Sequence, residues 1–182
     1  PQGLIDLMGG DDKFVEMLDS VFTVPPIYDD SYYGFPIHEI TEMTVMNSGN
    51  YAHGNQPVQH MIYLYDYAGQ PWKAQYWVRQ VIDRFYSAQA DGYCGDEDNG
   101  QTSAWYVFSA LGFYPVCPGT DQYIMGAPLF KKATIHLENG DDFVMEAPEN
   151  SAENFYLDAA KLNGKNFTRN YITHGDIMSG GK

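Results

Sequence analysis

The sequence predicts an α+β fold in which a helical first part is followed by a β-rich second part. Apolar residues recur at helical spacing up to about residue 118. Beyond that point, short alternating runs are separated by Asn-Gly dipeptides, the strongest short signal for a hairpin turn. With 182 residues, of which 44% are hydrophobic, the chain can bury a sizeable core. We therefore divide it into a helical region, residues 1–118, and a β-rich region, residues 119–182.

Three segments of the helical region have the spacing of amphipathic helices. One begins at Asp11, and two follow Pro57 and Pro71, because proline is favoured in the first turn of a helix. A fourth apolar pattern, Ala104–Leu111, follows an acidic loop. The apolar positions of the first three are spaced three or four residues apart: Phe14, Leu18, Val21 and Phe22; Met61, Leu64 and Tyr65; Trp77, Val81 and Phe85. These segments predict helices arranged in hairpins.

Three runs of the β-rich region predict strands: 133–138, 142–147 and 155–162. The first two runs are separated by Asn139-Gly140, and Asn163-Gly164 follows the third. Asn-Gly supplies the two left-handed residues that a tight hairpin turn needs. The region is therefore expected to form antiparallel sheet.

Composition excludes several classes of function. The net charge of −14 opposes binding to nucleic acid or anionic membranes, since either requires a basic patch. The sequence contains no run of 18 apolar residues, so it predicts no membrane-spanning helix. Cys94 and Cys117 are too few for a disulfide scaffold, and the sequence leaves open whether they are buried thiols or one bridge. The first residue is not Met, and we expect the chain to begin inside a larger protein, with any secretion signal upstream.

An acidic loop, Gly95-Asp96-Glu97-Asp98-Asn99-Gly100-Gln101, precedes the last helical pattern. Residues two apart in an extended segment point to the same side, so Asp96 and Asp98 are expected to present both carboxylates to one water molecule while Glu97 faces away. One carboxylate of such a pair can act as a general base and the other can orient it. The alternative is that Asp98 is only a helix N-cap, with Gln101 completing a capping box. Capping accounts for one aspartate and not for two, but the residues alone leave both interpretations open.

Two long ungapped segments carry a family resemblance. One runs from Gly95 through Val116 and continues through Cys117-Pro118-Gly119 to Gly126-Ala127-Pro128-Leu129-Phe130; the other is His53-Gly54-Asn55-Gln56-Pro57, followed by Tyr63-Leu64-Tyr65-Asp66-Tyr67-Ala68-Gly69-Gln70-Pro71-Trp72-Lys73. Both resemble glycoside hydrolase family 92, the calcium-dependent exo-acting α-mannosidases. The second segment is similar to the family's His-Gly-Asn-(Glu/Gln)-Pro motif, with glutamine at position 56, where many members have glutamate. The resemblance extends over nearly the whole chain.

The resemblance implies a fold and a catalytic role. Residues 1–118 would be the last helical hairpins of an (α/α)₆ catalytic barrel, and residues 119–182 would be sandwich-type strands. Asp98 would be the general base of an inverting glycosidase, with Asp96 as its partner. Such an enzyme also needs a carboxylic acid at the leaving oxygen. In this family that glutamate lies in a glutamate-glycine-asparagine segment, which this chain lacks. We therefore expect a C-terminal fragment, inactive alone, with the remainder of the barrel outside it.

The His53 motif is a candidate binding segment around the predicted start of a helix. Exposed polar groups and free backbone N–H groups at a helix start can face a ligand. His53, Asn55 and Gln56 are candidate substrate contacts, with the ring of His53 suited to a sugar hydroxyl. The amide oxygens of Asn55 and Gln56 also suit a hard cation such as calcium. The alternative is that this polarity only caps the helix. His136 lies in a predicted strand, and His38 and His174 stand apart from any cluster; all three are expected to be structural.

Two other functions are compatible with these patterns. A different (α/α)₆ inverting glycosidase would use the same pair of carboxylates on another sugar. A non-catalytic sugar-binding module would account for the aromatic content of 15%. The expectation that the resemblance favours is a periplasmic or secreted mannosidase that binds calcium and acts on mannose-containing glycans.

Overall fold

Six α-helices and one 3₁₀ helix occupy the first 111 residues of the computed structural model, which describes residues 1–182. The predicted helix starts at Asp11 and Pro71 are confirmed, and so is a helix over the apolar pattern that follows the acidic loop. The helices are α1 (Gln2–Met8), α2 (Asp11–Thr23), α3 (His38–Met46), the 3₁₀ helix (Gln56–Tyr63), α4 (Leu64–Tyr67), α5 (Pro71–Phe85) and α6 (Gln101–Leu111).

Two helical features differ from the prediction. The segment after Pro57 begins as a 3₁₀ helix, in which residues three apart are eclipsed, and it buries Gln59 and Ile62 at that spacing. Helix α3 has no predicted counterpart. None of its residues is fully buried, so it lacks the apolar stripe on which a sequence-based prediction depends.

The strands form three small antiparallel sheets, which confirms an α+β fold. The strands and the last helix are β1 (Phe113–Tyr114), β2 (Gln122–Met125), β3 (Lys132–His136), β4 (Asp142–Glu146), β5 (Ala160–Leu162), β6 (Lys165–Phe167), β7 (Tyr171–Thr173) and α7 (His174–Met178). The sheets have the orders β1-β2-β7, β3-β4 and β5-β6. Asn163 and Gly164 have φ of 51° and 76° and form the predicted tight turn between β5 and β6.

One predicted strand is only partly formed. The run 155–162 is a strand only at Ala160–Leu162. Upstream of it, the Leu157 N–H donates to Oε1 of the Gln75 side chain, on α5, at 3.0 Å. That backbone group is therefore paired with the helical region rather than with a neighbouring strand.

The main hydrophobic core joins the helices to the three-stranded sheet. It contains 20 buried residues, and Tyr114 and Ile124 bring β1 and β2 into it. A second cluster of four buried residues lies in the β-rich part: Phe113, Phe143, Ile172 and Ile177. No helix combines the length and apolar character that crossing a membrane requires. Cys94 and Cys117 are free thiols, and burial raises the pKa of Cys94 to about 12.

Candidate active site

The acidic loop leads into α6 through a left-handed turn. Asp98 and Asn99 have φ of 53° and 56°, and Gly100 has φ of 101°. Non-glycine residues seldom adopt this region, although Asp and Asn tolerate it best. The predicted extended geometry is therefore wrong at Asp98, and the carboxylates of Asp96 and Asp98 are not related by the two-residue period of a strand.

Glu97 makes the polar contacts at the start of α6. One carboxylate oxygen accepts a hydrogen bond from the Gly100 N–H at 2.6 Å, and the other accepts from the Ser103 hydroxyl at 2.6 Å and the Ser103 N–H at 3.3 Å. These bonds, the one from the Ser103 hydroxyl above all, hold the pKa of the Glu97 carboxyl below its ordinary value. The alternative in which Asp98 caps the helix is wrong, because Glu97 accepts the hydrogen bonds from these N–H groups.

Asp96 and Asp98 present exposed side chains on a main chain that is held from below. The Asp96 side chain is 74% exposed, and Asp98 is also exposed. Under them, the Thr102 hydroxyl donates to the Asp96 carbonyl at 2.9 Å, and the Thr102 N–H donates to the Glu97 carbonyl at 3.1 Å. An accessible carboxylate on a fixed main chain is the arrangement that proton transfer from a bound water molecule requires.

Two glycines bring the acidic loop into backbone contact with the His53 motif. A Cβ atom on Gly95 would lie 2.4 Å from the carbonyl oxygen of Gly54 and 2.6 Å from its Cα. Gly95 also has φ of 72°. Glycine is the only residue type that accommodates both that φ and so close an approach. The two segments that carry the family resemblance are therefore adjacent in space. We call this backbone contact between Gly54 and Gly95 the crossing.

A buried hydrogen-bond network joins the two loops beneath the surface. Gln59 is fully buried, and its Nε2 donates to the His53 carbonyl and to Thr102 Oγ1, each at 3.2 Å. Its Oε1 accepts from Gln101 Nε2 at 3.3 Å. A satisfied buried network favours one arrangement of the groups it joins. Gln59 and Thr102 were not predicted as site residues, although each lies three residues before a buried apolar residue of its helix.

His53 supports its motif from the protein interior. The residue is 1% exposed, and its Nδ1 and Nε2 each lie 2.7 Å from a tyrosine hydroxyl, those of Tyr51 and Tyr86. Its ring packs edge-on against Trp105, with centroids 4.3 Å apart. Burial lowers the pKa of His53 to about 3, so the ring is neutral. The expected contact between His53 and a sugar is corrected accordingly, because both ring nitrogens are engaged inside the protein.

A charged cluster that the sequence analysis missed lies beside Asp96. His38, on α3, has Nδ1 3.2 Å from Glu42 Oε1, and its Nε2 lies 3.4 Å from Glu39 Oε1 and 4.0 Å from Asp96 Oδ2. The hydrogen bond with Glu42 raises the pKa of His38, desolvation partly opposes it, and the three carboxylates add to it. The prediction that His38 stands apart is wrong. The available signal was the i, i+4 spacing of His38 and Glu42.

The other two histidines lie elsewhere in the fold. His136 ends β3, as predicted for a strand residue, and its Nδ1 lies 2.6 Å from Asp142 Oδ1 across the hairpin. His174 begins α7, with Nδ1 3.2 Å from the Tyr123 hydroxyl. Each has its polar partner within the β-rich part, which agrees with a structural role.

Comparison with known proteins decides the family. All 182 residues match the sequence profile of the glycosyl hydrolase family 92 catalytic domain. The chain belongs to glycoside hydrolase family 92. It is 60% identical, with a TM-score of 0.83, to a solved family GH92 inverting mannosidase of Bacteroides thetaiotaomicron, and it covers 100% of its own length and 25% of that chain.

Two further relatives extend the comparison. A family GH92 α-mannosidase, also from Bacteroides thetaiotaomicron, is 38% identical with a TM-score of 0.79, over 94% of this chain and 21% of that one. A protein described as an uncharacterized secreted glycosidase of Arthroderma benhamiae is 29% identical over 98% of this chain and 20% of its own length. This family 92 chain thus spans about a quarter of these solved relatives and a fifth of the curated one.

The family resemblance implies calcium, and the oxygen atoms around the His53 motif show how far this chain could hold the ion. Asn55 is half-buried at the start of the 3₁₀ helix and makes no cap bond, and Gln56 is exposed. Glu42 Oε2, buried without a hydrogen-bond partner, lies against Gly54, the neighbour of Asn55. Calcium takes roughly six to eight oxygen ligands, and no group of three or more acidic, histidine or cysteine side chains forms a metal site here. These oxygens fit calcium in kind and supply only part of its shell.

Proposed function

We propose that this chain is the C-terminal part of a calcium-dependent, inverting exo-α-mannosidase and that it supplies the general-base loop, with Asp98 as the base and Asp96 as its partner. The observation that carries the proposal is the pair of exposed carboxylates on a main chain fixed by Thr102 and by the crossing of Gly54 and Gly95. The 60% identity to an inverting mannosidase supports the same conclusion.

In the proposed reaction, water attacks the anomeric carbon from the face opposite the leaving group. Asp98 takes a proton from that water, the glycosidic oxygen leaves with a proton from an acid on the other face, and the anomeric configuration inverts. Asp96 helps to orient the water. The chain's contribution is to hold these groups in place before the substrate arrives, so that little ordering remains to be done in the transition state.

The general acid is proposed to lie outside this chain, in the remainder of the (α/α)₆ barrel. Glu39 and Glu42 are acidic residues of this chain beside Asp96, and both face His38. A carboxylate that stabilises a histidine cation is a poor proton donor. The chain alone would therefore hold a base without an acid.

The parent enzyme is proposed to be periplasmic or secreted and to act on glycans with terminal α-mannose. The curated relative is described as secreted. Asn55 and Gln56 would hold part of the calcium shell, with Glu42 Oε2 available beside them. Bound calcium would hold adjacent sugar hydroxyls.

The decisive experiment replaces Asp98 with asparagine in the parent enzyme. Asparagine tolerates the left-handed backbone at this position, so the substitution removes the base and keeps the turn. We expect kcat to fall by at least about 10²-fold, with a much smaller change in KM. The matched control is Asp91→Asn, at an exposed aspartate of the same α5–α6 connection. Near-normal turnover of the Asp98 variant would remove the base role from Asp98.

A further inference from the structure

A buried carboxylate without a partner lies between the helices and the C-terminal hairpins. Asp66, on α4, is 3% exposed, and neither of its side-chain oxygens has a hydrogen-bond partner. Its backbone carbonyl, in contrast, accepts from Asn170 Nδ2 at 2.9 Å. Burial raises the pKa of Asp66 well above its ordinary value. Buried ionisable groups in folded proteins are normally paired, because an unpaired one is costly. This chain therefore provides no partner for the Asp66 carboxylate.

Asp66 lines a cavity of about 490 Å³ whose walls include both polar and apolar side chains. The one cationic side chain in those walls is Arg169, and it is already engaged: its guanidinium donates to Asp176 Oδ2 at 2.8 Å and stacks over Phe167 and Tyr171. Asp158, another wall residue, has the same charge sign as Asp66. The cavity thus has an acceptor and no free cation to meet it.

A second cavity, of about 720 Å³, adjoins the first and is mostly hydrophobic. The two cavities share wall residues from the segment before β5, from the start of β5 and from β6, including Leu157, Ala160 and Phe167. We call the pair the socket. Protein interiors are close-packed, and an apolar space of this size beside a two-stranded hairpin is what remains when a packing partner is missing.

We propose that the socket receives a segment of the rest of the parent polypeptide, with apolar side chains in the larger cavity and an arginine or lysine against Asp66. This chain covers 25% of the similar solved chain. The other three quarters of that polypeptide are the main source of segments that could pack against the matched part. A second copy of this chain is a poor occupant, because two bodies of net charge −14 repel each other. A basic side chain is the partner that best satisfies a buried carboxylate.

The sign of one stability change in the parent enzyme tests the proposal. If the socket is filled, Asp66→Asn breaks a buried ion pair, and the midpoint of thermal unfolding at pH 7 falls by roughly 5 °C or more. If Asp66 has no partner, its folded pKa stays above the unfolded one, so ionisation destabilises the fold as pH rises past about 4. Asparagine then removes that loss, and the midpoint at pH 7 rises. An unchanged or raised midpoint overturns the proposal.

Two further variants make the test specific. Asp158→Asn, at an exposed aspartate in the same walls, is the matched control and should shift the midpoint by less than half as much. Ala160→Trp should destabilise the parent, because the large cavity is occupied; a neutral or stabilising effect would show that it is empty and overturn the proposal. A midpoint that rises with protein concentration or with added mannose in the parent enzyme, but not in its Ala160→Trp variant, would assign the socket to a second copy or to a sugar. Either outcome would also overturn the proposal.

Discussion

Replacing Gly95 with alanine should displace the acidic loop, because two separate physical costs meet at this residue. The left-handed backbone at φ of 72° costs alanine about 1–2 kcal/mol. The added Cβ would also lie 2.4 Å from the Gly54 carbonyl oxygen, a backbone atom that no rotamer change can move away. Overpacking of this kind costs about 1–3 kcal/mol, so the sum is about 2–5 kcal/mol. For a chain of this size, that lowers the unfolding midpoint by roughly 4–20 °C.

Two matched variants separate the costs. Gly69→Ala has the same backbone cost, since Gly69 has φ of 71°, but its Cβ would meet nothing within 4 Å. Gly54→Ala adds the contact without a left-handed φ, with Gly95 Cα at 3.1 Å and Glu42 Oε2 at 2.5 Å. Thermal unfolding of the three variants and kcat/KM of the corresponding parent enzymes are the measurements. A shift of about 1 Å in a catalytic loop reduces the rate by about 10²-fold. We expect a loss of kcat/KM of that size for Gly95→Ala and smaller losses for Gly69→Ala and Gly54→Ala. If Gly95→Ala matches Gly69→Ala in stability and keeps full activity, the crossing does not position the loop.

Three other outcomes are expected. Proton NMR should detect β-mannose as the first product of the parent enzyme, and a chelator should abolish activity that calcium restores; early release of the α-anomer would remove the base role of Asp98. Residues 1–182 alone should not hydrolyse an aryl α-mannoside, and measurable turnover would instead make Glu39 or Glu42 the acid. His53, with a pKa near 3 in the fold and about 6.5 when unfolded, should make this chain lose stability as pH falls from about 6.5 towards 3. His53→Gln should flatten that dependence in pH-dependent thermal unfolding, and an unchanged slope would contradict it.

The parts of the fold that local pattern predicted are those whose burial is periodic. Helices α2 and α5 each bury a stripe of apolar residues, and both begin where the sequence predicted. The turn at Asn163-Gly164 was predictable because its backbone conformation is specific to those residue types. Helix α3 buries no complete residue, so it left no periodic signal, and the cluster at His38 was missed with it.

The candidate site was predictable in its chemistry but not in its geometry. The acidic residues of the loop showed which groups could act as a base. The sequence could not decide which residue caps the helix, because three acidic residues in a row compete for the same N–H groups and only the path of the chain decides that Glu97 reaches them. Three contacts of the site join residues more than 30 positions apart in the sequence. They are the backbone contact of Gly54 with Gly95, the hydrogen bond from Gln59 to Thr102 and the buried contact of His53 with Tyr86. Sequence spacing carries no information about such pairings.

The contact between Gly54 and Gly95 constrains the lengths of the two loops more than their composition. Main-chain atoms define the contact, so neighbouring side chains can vary without moving it. A residue inserted between Gly95 and α6, or between Gly54 and the 3₁₀ helix, would shift the crossing out of register with Gln59 and Thr102. Among related enzymes, insertions and deletions are therefore expected to be confined to the distal part of the α5–α6 connection.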